Sequence, residues 1–236
     1  MGSVNLLFGI AHPEPVFEWM AEQDLDVVGF VELKDSPRSK LRWPRLLASW
    51  KATYPFQAVE PHEYYGLALI SKVPLEDVRL HWGPGGNGEE SERPLRMSAR
   101  LEWHGQGLRV VVMHPPRPDG PWRLAMREEC FDSLATELAT EGSCVVMGDF
   151  NSNEGSPLFR KLKRRANLTD SRQGWGYGAS WSPLGFPLPL VPLDHILVRG
   201  PVVLERGVGP PVRSDHRPIH AVLAWPSPPN SSPSPH

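Results

Sequence analysis

Short apolar runs alternate along this chain with stretches whose apolar residues recur at helical spacing. Val4 to Ile10 is an apolar run of strand length. Pro13 to Gln23 opens on prolines and carries Val16, Phe17 and Met20 on one helical side, which predicts a helix with Pro in its first turn. Asp26 to Leu33 (DVVGFVEL) predicts a buried strand that ends on a carboxylate. Ser36-Pro37 opens a second predicted helix running to Tyr54, with Leu41, Leu46, Leu47 and Trp50 on its apolar side. Strands are expected at Tyr65 to Ser71, Leu95 to Trp103 and Leu108 to His114, with Gly83 to Glu92 as a Gly-rich acidic loop. Pro121 to Thr140 is the longest predicted helix, followed by a strand at Cys144 to Phe150 and a helix opening at Ser156-Pro157. A Gly/Trp/Pro-rich stretch, Gly174 to Pro192, precedes strands at Leu193 to Val198, Val202 to Gly207 and Pro218 to Trp225.

Many short strands with a few helices predict an α/β or α+β domain, and a two-sheet sandwich with helices outside accommodates them. A doubly wound parallel sheet is the competitor. No Gly-rich phosphate loop follows the first strand, and Tyr65 to His114 reads as consecutive strands without helical crossovers, which weighs against it. The 236 residues suit one domain over residues 1–225, and the Pro/Ser-rich stretch 226–236 reads as a disordered tail. A net charge of -2 supplies no global cationic field, so a tight, non-specific nucleic-acid binder is disfavoured while a local basic patch stays open. Cys130 and Cys144 are expected as two buried thiols, not a disulfide. No run reaches membrane-span length and no signal peptide precedes the first strand, so a cytoplasmic location is expected, or an extracytoplasmic one if an upstream segment has been removed.

Polar residues recur at the ends of otherwise apolar strands. Glu32 closes DVVGFVEL, His114 closes LRVVVMHPP, and Asp149 and Asn151 close CVVMGDFN. Asp194 and His195 open LDHILV, and Asp215-His216 precede RPIHAVL. Strand ends hold side chains at a shared rim with little positional slack. Each has a structural alternative taken singly: Glu32 as a strand reaching solvent, His114 as a hydrogen-bonded structural histidine, and Asp149, Asp194 and Asp215 as turn or cap residues. His195, adjacent to Asp194 on a strand, points to the opposite face and reads as structural, and His12 reads as a loop residue.

Taken jointly, Gly148-Asp149-Phe150-Asn151 resembles the GDFN motif of the endonuclease/exonuclease/phosphatase (DNase-I-like) superfamily. Ser214-Asp215-His216-Arg217-Pro218-Ile219 is similar to its SDHxP element, and Leu193 to Val198 to its D(Y/H) strand. Val31-Glu32 resembles its QE motif with Val for Gln, Asn5 sits where its first strand carries Asn, and His114-Pro115 matches another strand end. The elements occur in family order from residue 5 to 216. A second Asn that the family often carries in its first motif is replaced by Ile10-Ala11-His12.

The resemblance implies an α+β, four-layer α/β/β/α sandwich of two mixed, mainly antiparallel sheets and a metal-dependent phosphoric ester hydrolase. It implies Mg²⁺ or Mn²⁺ held by Asn5, Glu32 and Asp215, with Asp149 as general base and Asn151 donating to a phosphate oxygen. His216 would donate to the phosphoryl group, Asp194 would hold its other ring nitrogen, and His114 would serve as phosphate donor or leaving-group acid. A nuclease acting on DNA as a monomer is the expected reading; a phosphatase or phosphodiesterase on a small or lipid-headgroup ester is the alternative, and a catalytically silent binding module the third. Separation between them is expected in the loops Pro37 to Arg45, Gly83 to Arg93, Pro115 to Trp122 and Gly174 to Pro192. There Trp175, Tyr177, Trp181 and Phe186 would either stack on bases or close a hydrophobic rim. Lys161, Lys163, Arg164 and Arg165 would either contact phosphates or form a solvated helix face. Ser180-Trp181 resembles a family element that supports the site.

Overall fold

The computed structural model describes residues 1–9, 11–34, 43–83, 92–183, 186 and 188–226. Two six-stranded sheets pack face to face. The first runs in the order β11-β12-β1-β2-β4-β3, built from β1 (Gly2–Asn5), β2 (Val27–Val31), β3 (Phe56–Glu60), β4 (Leu67–Ser71), β11 (Val202–Val208) and β12 (Ile219–Ala224). The second runs β5-β6-β7-β8-β10-β9, built from β5 (Glu76–Gly83), β6 (Arg93–Trp103), β7 (Gln106–Met113), β8 (Cys144–Asp149), β9 (Thr169–Asp170) and β10 (Asp194–Arg199). Each sheet contains one parallel pair, β1 with β2 and β7 with β8, and every other pairing is antiparallel. A parallel pair needs a crossover, and α1 (Pro13–Glu22) and α3 (Pro121–Leu138) supply the two. With α2 (Trp43–Ser49) and α4 (Pro157–Arg165) they complete the four layers.

Side-chain parity explains the layering. Val27, Val31, Leu67 and Leu69 of one sheet meet Met97, Val110, Val112, Val145, Met147 and Ile196 of the other between the sheets. The alternate residues Val28, Phe30, Ala68 and Ile70 pack under Val16, Trp19 and Met20 of α1 and Leu47 of α2. Val111, Val146 and Leu197 pack under Met126, Phe131 and Leu134 of α3 and Phe159 and Leu162 of α4. Central strands are thus buried on both faces, which is why they read as continuous runs of Val, Leu and Ile. Burial of each such side chain contributes roughly 1.5–3 kcal/mol.

Several boundaries differ from the expected ones. The first strand ends at Asn5 because Leu7, Phe8 and Gly9 adopt positive φ, turning the chain although the apolar run continues. The second helix is described only from Trp43 to Ser49, and its expected start at Ser36-Pro37 lies outside the described residues. So do most of the loops Pro37 to Arg45 and Gly83 to Arg93, and the tail from residue 227 onward. Edge strands β3 and β5 and the two-residue β9 had no counterpart in the apolar pattern. Cys130 and Cys144 are free buried thiols. No helix among the described residues is long and apolar enough to cross a membrane.

Gly148 shows how tightly β7 and β8 meet at the rim. Its φ is 140°, and a Cβ there would sit on the carbonyl oxygen of Met113. Gly148→Ala is expected to cost about 3 kcal/mol or more, read as a lower urea midpoint at unchanged slope.

Candidate active site

The carboxyl ends of the two parallel pairs lie at one rim, where four candidate residues meet. Asn5 ends β1, Glu32 follows β2, His114 follows β7 and Asp149 ends β8. Parity carries three of them inward: Asn5 continues Ser3, His114 continues Val110 and Val112, and Asp149 continues Val145 and Met147. Glu32 is out of phase, being next to inward-facing Val31, and its φ of 59° turns the carboxylate back into the rim. A left-handed backbone at a non-Gly residue costs about 1–3 kcal/mol, and it persists where the surroundings over-determine it. Asn151, with φ 47°, makes a comparable turn after β8.

The resulting contacts are close. Asn5 Nδ2 donates to Glu32 Oε1 at 3.0 Å and to Asp149 Oδ2 at 3.1 Å, while Asn5 Oδ1 accepts from the Leu7 amide at 2.8 Å. Glu32 Oε2 accepts from the Phe8 amide at 3.0 Å, so the turn that shortens β1 also orients Glu32. His114 Nε2 lies 3.6 Å from both Glu32 Oε1 and Asp149 Oδ2. Asp149 Oδ1 accepts from the Asn151 amide at 2.7 Å, and Asn151 Nδ2 donates to the Pro115 carbonyl at 3.1 Å, tying the β7 and β8 ends together.

A second group joins from β10 and the segment before β12. His216 Nε2 stands 3.5 Å from Asp149 Oδ2, and its Nδ1 lies 2.7 Å from Asp194 Oδ2. Asp194 Oδ2 also accepts from Ser180 Oγ at 2.6 Å. Trp181 Nε1 donates to Asp215 Oδ2 at 3.0 Å, and Asp215 Oδ1 is buried without a hydrogen-bond partner, 4.0 Å from His216 Nε2. Asn5, Glu32, His114, Asp149, Asn151, Asp194, Asp215 and His216 are therefore linked through one network. Trp181 holds Asp215, whereas Trp175, Tyr177 and Phe186 stay exposed. His195 faces away, with Nδ1 at 2.8 Å from Asp170 and Nε2 at 2.8 Å from the Ser152 carbonyl. Lys161, Lys163 and Arg165 pair with Asp132, Glu128 and Glu154 on the protein's own surface.

Ser152 and Arg127 escaped the sequence reading. Arg127, 1% exposed, donates to the carbonyls of Pro116 and Phe150 and to Ser152 Oγ, bracing the loops that carry His114 and Asn151. Nothing in its helical surroundings distinguishes it from a surface arginine.

Charge in the rim is strongly coupled. Burial, with Asp149 adding to it against the Asn5 hydrogen bond, pushes the Glu32 carboxyl up to about 7. Burial pulls His114 down to about 4, so its ring is neutral at pH 7. Burial would lower His216 too, but the carboxylates of Asp194, Asp149 and Asp215 raise it to about 10. Within the described residues, ligand atoms of Glu32, His114 and Asp149 fall within 4.8 Å of one another, as do those of Asp149, Asp194 and His216. Adjacent buried carboxylates and an orphaned Asp215 oxygen are hard oxygen donors, the set that fits Mg²⁺ or Mn²⁺. Asn5 turns its nitrogen toward the carboxylates, so as a ligand it would have to rotate its amide and give up the Leu7 contact.

The profile described as the endonuclease/exonuclease/phosphatase family matches residues 2–216. A phospholipase C of Staphylococcus aureus is 22% identical over 156 residues, 62% of this chain and 45% of that protein, so the match spans less than half of that relative. A solved 3′ phosphatase from Neisseria bound to a product DNA hairpin superposes with a TM-score of 0.70 at 18% identity, over 95% of this chain and 100% of that one. A beta toxin from Staphylococcus aureus with bound magnesium ions superposes with a TM-score of 0.66 at 18% identity, over 93% of this chain and 97% of that one. At these identities the likeness is one of fold.

Proposed function

The chain belongs to the endonuclease/exonuclease/phosphatase family of metal-dependent phosphoric ester hydrolases, and on that premise we propose that it is a Mg²⁺- or Mn²⁺-dependent nuclease hydrolysing phosphodiester bonds of DNA. The observation that carries the phosphodiesterase chemistry is the Asn5 amide bridging Glu32 and Asp149, with His216 on the other side of the same Asp149 oxygen. Hydrolysis of an anionic ester requires charge neutralisation, a deprotonated water and in-line placement.

Glu32 and Asp215 would hold the cation, which when bound would supply Lewis-acid polarisation of a phosphoryl oxygen and charge stabilisation for the leaving oxygen. Asp149 accepts the proton of the attacking water as the new P–O bond forms and the ester P–O bond breaks. Asn5 fixes the spacing of Asp149 and Glu32. His216, kept protonated by Asp194, donates from Nε2 to the phosphoryl group, where it neutralises developing charge. The neutral ring of His114 acts as a hydrogen-bond donor, being a poor fit to a role as ground-state proton source. Asn151 keeps one amide hydrogen for a phosphate oxygen while the other holds Pro115.

The DNA-bound fold neighbour and the exposed Trp175, Tyr177 and Phe186 support a nucleic-acid substrate. The phospholipase C relative supports the second reading, a lipid-headgroup or small-molecule ester. Plasmid DNA, an abasic duplex, RNA and bis-p-nitrophenyl phosphate, each with Mg²⁺, Mn²⁺ or chelator, separate them. Cleavage of the small ester alone moves the assignment to the second reading; cleavage of nothing replaces both with a binding module.

Glu32 gives a pH-dependent signature. Its raised pKa means that the metal-free folded state keeps a proton that the unfolded chain has released, so stability falls as pH rises from about 4.5 to about 7. Because burial raises the Glu32 carboxyl to about 7, adding Mg²⁺ at pH 7 to the metal-free protein is expected to release protons. Glu32→Gln should abolish that release in a weakly buffered titration.

A further inference from the structure

Arg127 of α3 is 1% exposed, and among the described residues its hydrogen bonds all go to neutral acceptors and it forms no ion pair. Its Nη1 donates to the Pro116 carbonyl at 2.6 Å and to the Phe150 carbonyl at 3.1 Å, and its Nη2 donates to Ser152 Oγ. The guanidinium carbon lies 5.1 Å from the centre of the Phe131 ring. Taking a guanidinium out of water without a paired carboxylate is costly, and a methionine would serve a packing role as well. What distinguishes the arginine is its set of three acceptors.

Those acceptors bracket one candidate catalytic side chain. Phe150 and Ser152 stand on either side of Asn151, and Pro116 follows Pro115, whose carbonyl accepts from Asn151 Nδ2 at 3.1 Å. Asn151 needs such support because its φ is 47°, a left-handed backbone that persists only where the surroundings over-determine it. Pro116 also lies two positions after His114, so the Nη1 that holds the end of β8 holds the end of β7 as well. On its far side, the Ser152 carbonyl accepts from His195 Nε2 at 2.8 Å, and Asp170 anchors the same ring at Nδ1, also at 2.8 Å. Arg127 itself donates to none of the candidate catalytic side chains.

Resting on the phosphodiesterase reading above, we propose that Arg127 is a positioning residue: it ties the ends of β7 and β8 together and thereby sets Asn151 and His114 against the phosphoryl group. The side chain suits this work. A guanidinium presents its donors in one rigid plane, so acceptors from two loops are held at set angles, whereas an ammonium is a single point on a flexible stem. Asn151 and His114 would meet charge that develops in the transition state, so their misplacement falls on kcat and not on KM.

Arg127→Met keeps an apolar stem and removes the fork. It should lower kcat on bis-p-nitrophenyl phosphate by about 10- to 10²-fold with KM little changed. That loss should not multiply with the loss in Asn151→Ala, because both remove the same placed donor. Arg127→Lys should recover only part of it. Arg127→Ala opens space beside a cleft of about 470 Å³ lined by Pro118, Asn151 and Ser152, where added methylguanidinium should restore kcat saturably. Should Arg127→Met fail to fold, Ser152→Ala removes the Oγ contact alone and should lower kcat about three- to tenfold. The side-chain amide pair of Asn151 in ¹H–¹⁵N spectra, identified by its absence in Asn151→Ala, reads the placement in metal-free protein without turnover. It should shift or broaden in Arg127→Met and in Ser152→Ala. Normal kcat in folded Arg127→Met, losses that multiply fully with Asn151→Ala, or an unmoved amide pair overturns the positioning role and leaves the phosphodiesterase reading standing. Absence of hydrolysis of any ester by the unaltered protein removes that reading instead, and the amide pair then decides the placement: movement supports it, constancy overturns it.

Discussion

Replacing Asp149 with asparagine lowers turnover by about 10²-fold or more while leaving the protein folded, because the position combines the greatest chemical demand with a structural burden the amide can bear. Its Oδ2 accepts from Asn5 at 3.1 Å and stands 3.5 Å from His216 Nε2 and 3.6 Å from His114 Nε2, so one amide and two imidazoles converge on that atom. The single amide oxygen of an asparagine can accept from Asn5 or from the Asn151 backbone amide but not from both, so one of the two hydrogen bonds is given up. An amide takes no proton from water, and that loss is chemical. One buried negative charge also disappears beside Glu32, whose carboxyl is pushed up to about 7 by burial with Asp149 contributing. Stability is therefore expected to hold or to rise slightly. The measurement pairs kcat on bis-p-nitrophenyl phosphate in Mg²⁺ with thermal unfolding. Near-normal turnover in a folded variant removes Asp149 from the role of base.

How much of this was readable from the residues depends on burial. Strands β2, β8 and β10 lie between packed layers, so both of their faces are apolar and their polar ends stand out. Asp149 and His114 continue the inward parity of Val145, Met147, Val110 and Val112, and the same alternation places His195 on the opposite face from Asp194. Edge strands give no such signal. In β5 (EDVRLHWG) most positions are exposed, and in β3 (FQAVE) all are half-buried, because each is covered by one neighbouring strand only. Glu32 illustrates a different limit: parity alone would send it to the outer layer, and only its positive φ returns it to the site. The family motif identified the residue, whereas local pattern could not supply its direction. Arg127 was illegible for a third reason, since its role arises from contacts with loops far apart in sequence.

His216→Ala is expected to lower turnover by about 10²-fold or more and, unlike the Asp149 variant, to destabilise the fold by about 3–5 kcal/mol. The difference lies in what remains behind. Asp194 is 2% exposed, and once the imidazole at 2.7 Å is gone, its Oδ2 retains only the Ser180 hydroxyl and a buried charge stands uncompensated. Adding Asp194→Asn should restore most of the stability and none of the activity, a separation that a purely structural histidine would not give. The pH dependence has a definite sign. Burial opposes the charge on His216, but Asp194, Asp149 and Asp215 raise its pKa to about 10, above the ordinary value of 6.5. Its contribution is therefore complete below about 6.5 and is lost as pH rises through about 10, so unfolding free energy of the unaltered metal-free protein should decline across that window. In His216→Ala that decline should flatten. Asp194→Asn alone removes the principal carboxylate holding the proton, so its activity should fail at lower pH than that of the unaltered enzyme. A pH–rate profile unmoved by Asp194→Asn, with turnover preserved in His216→Ala, would show that the imidazolium takes no part in holding the phosphoryl group.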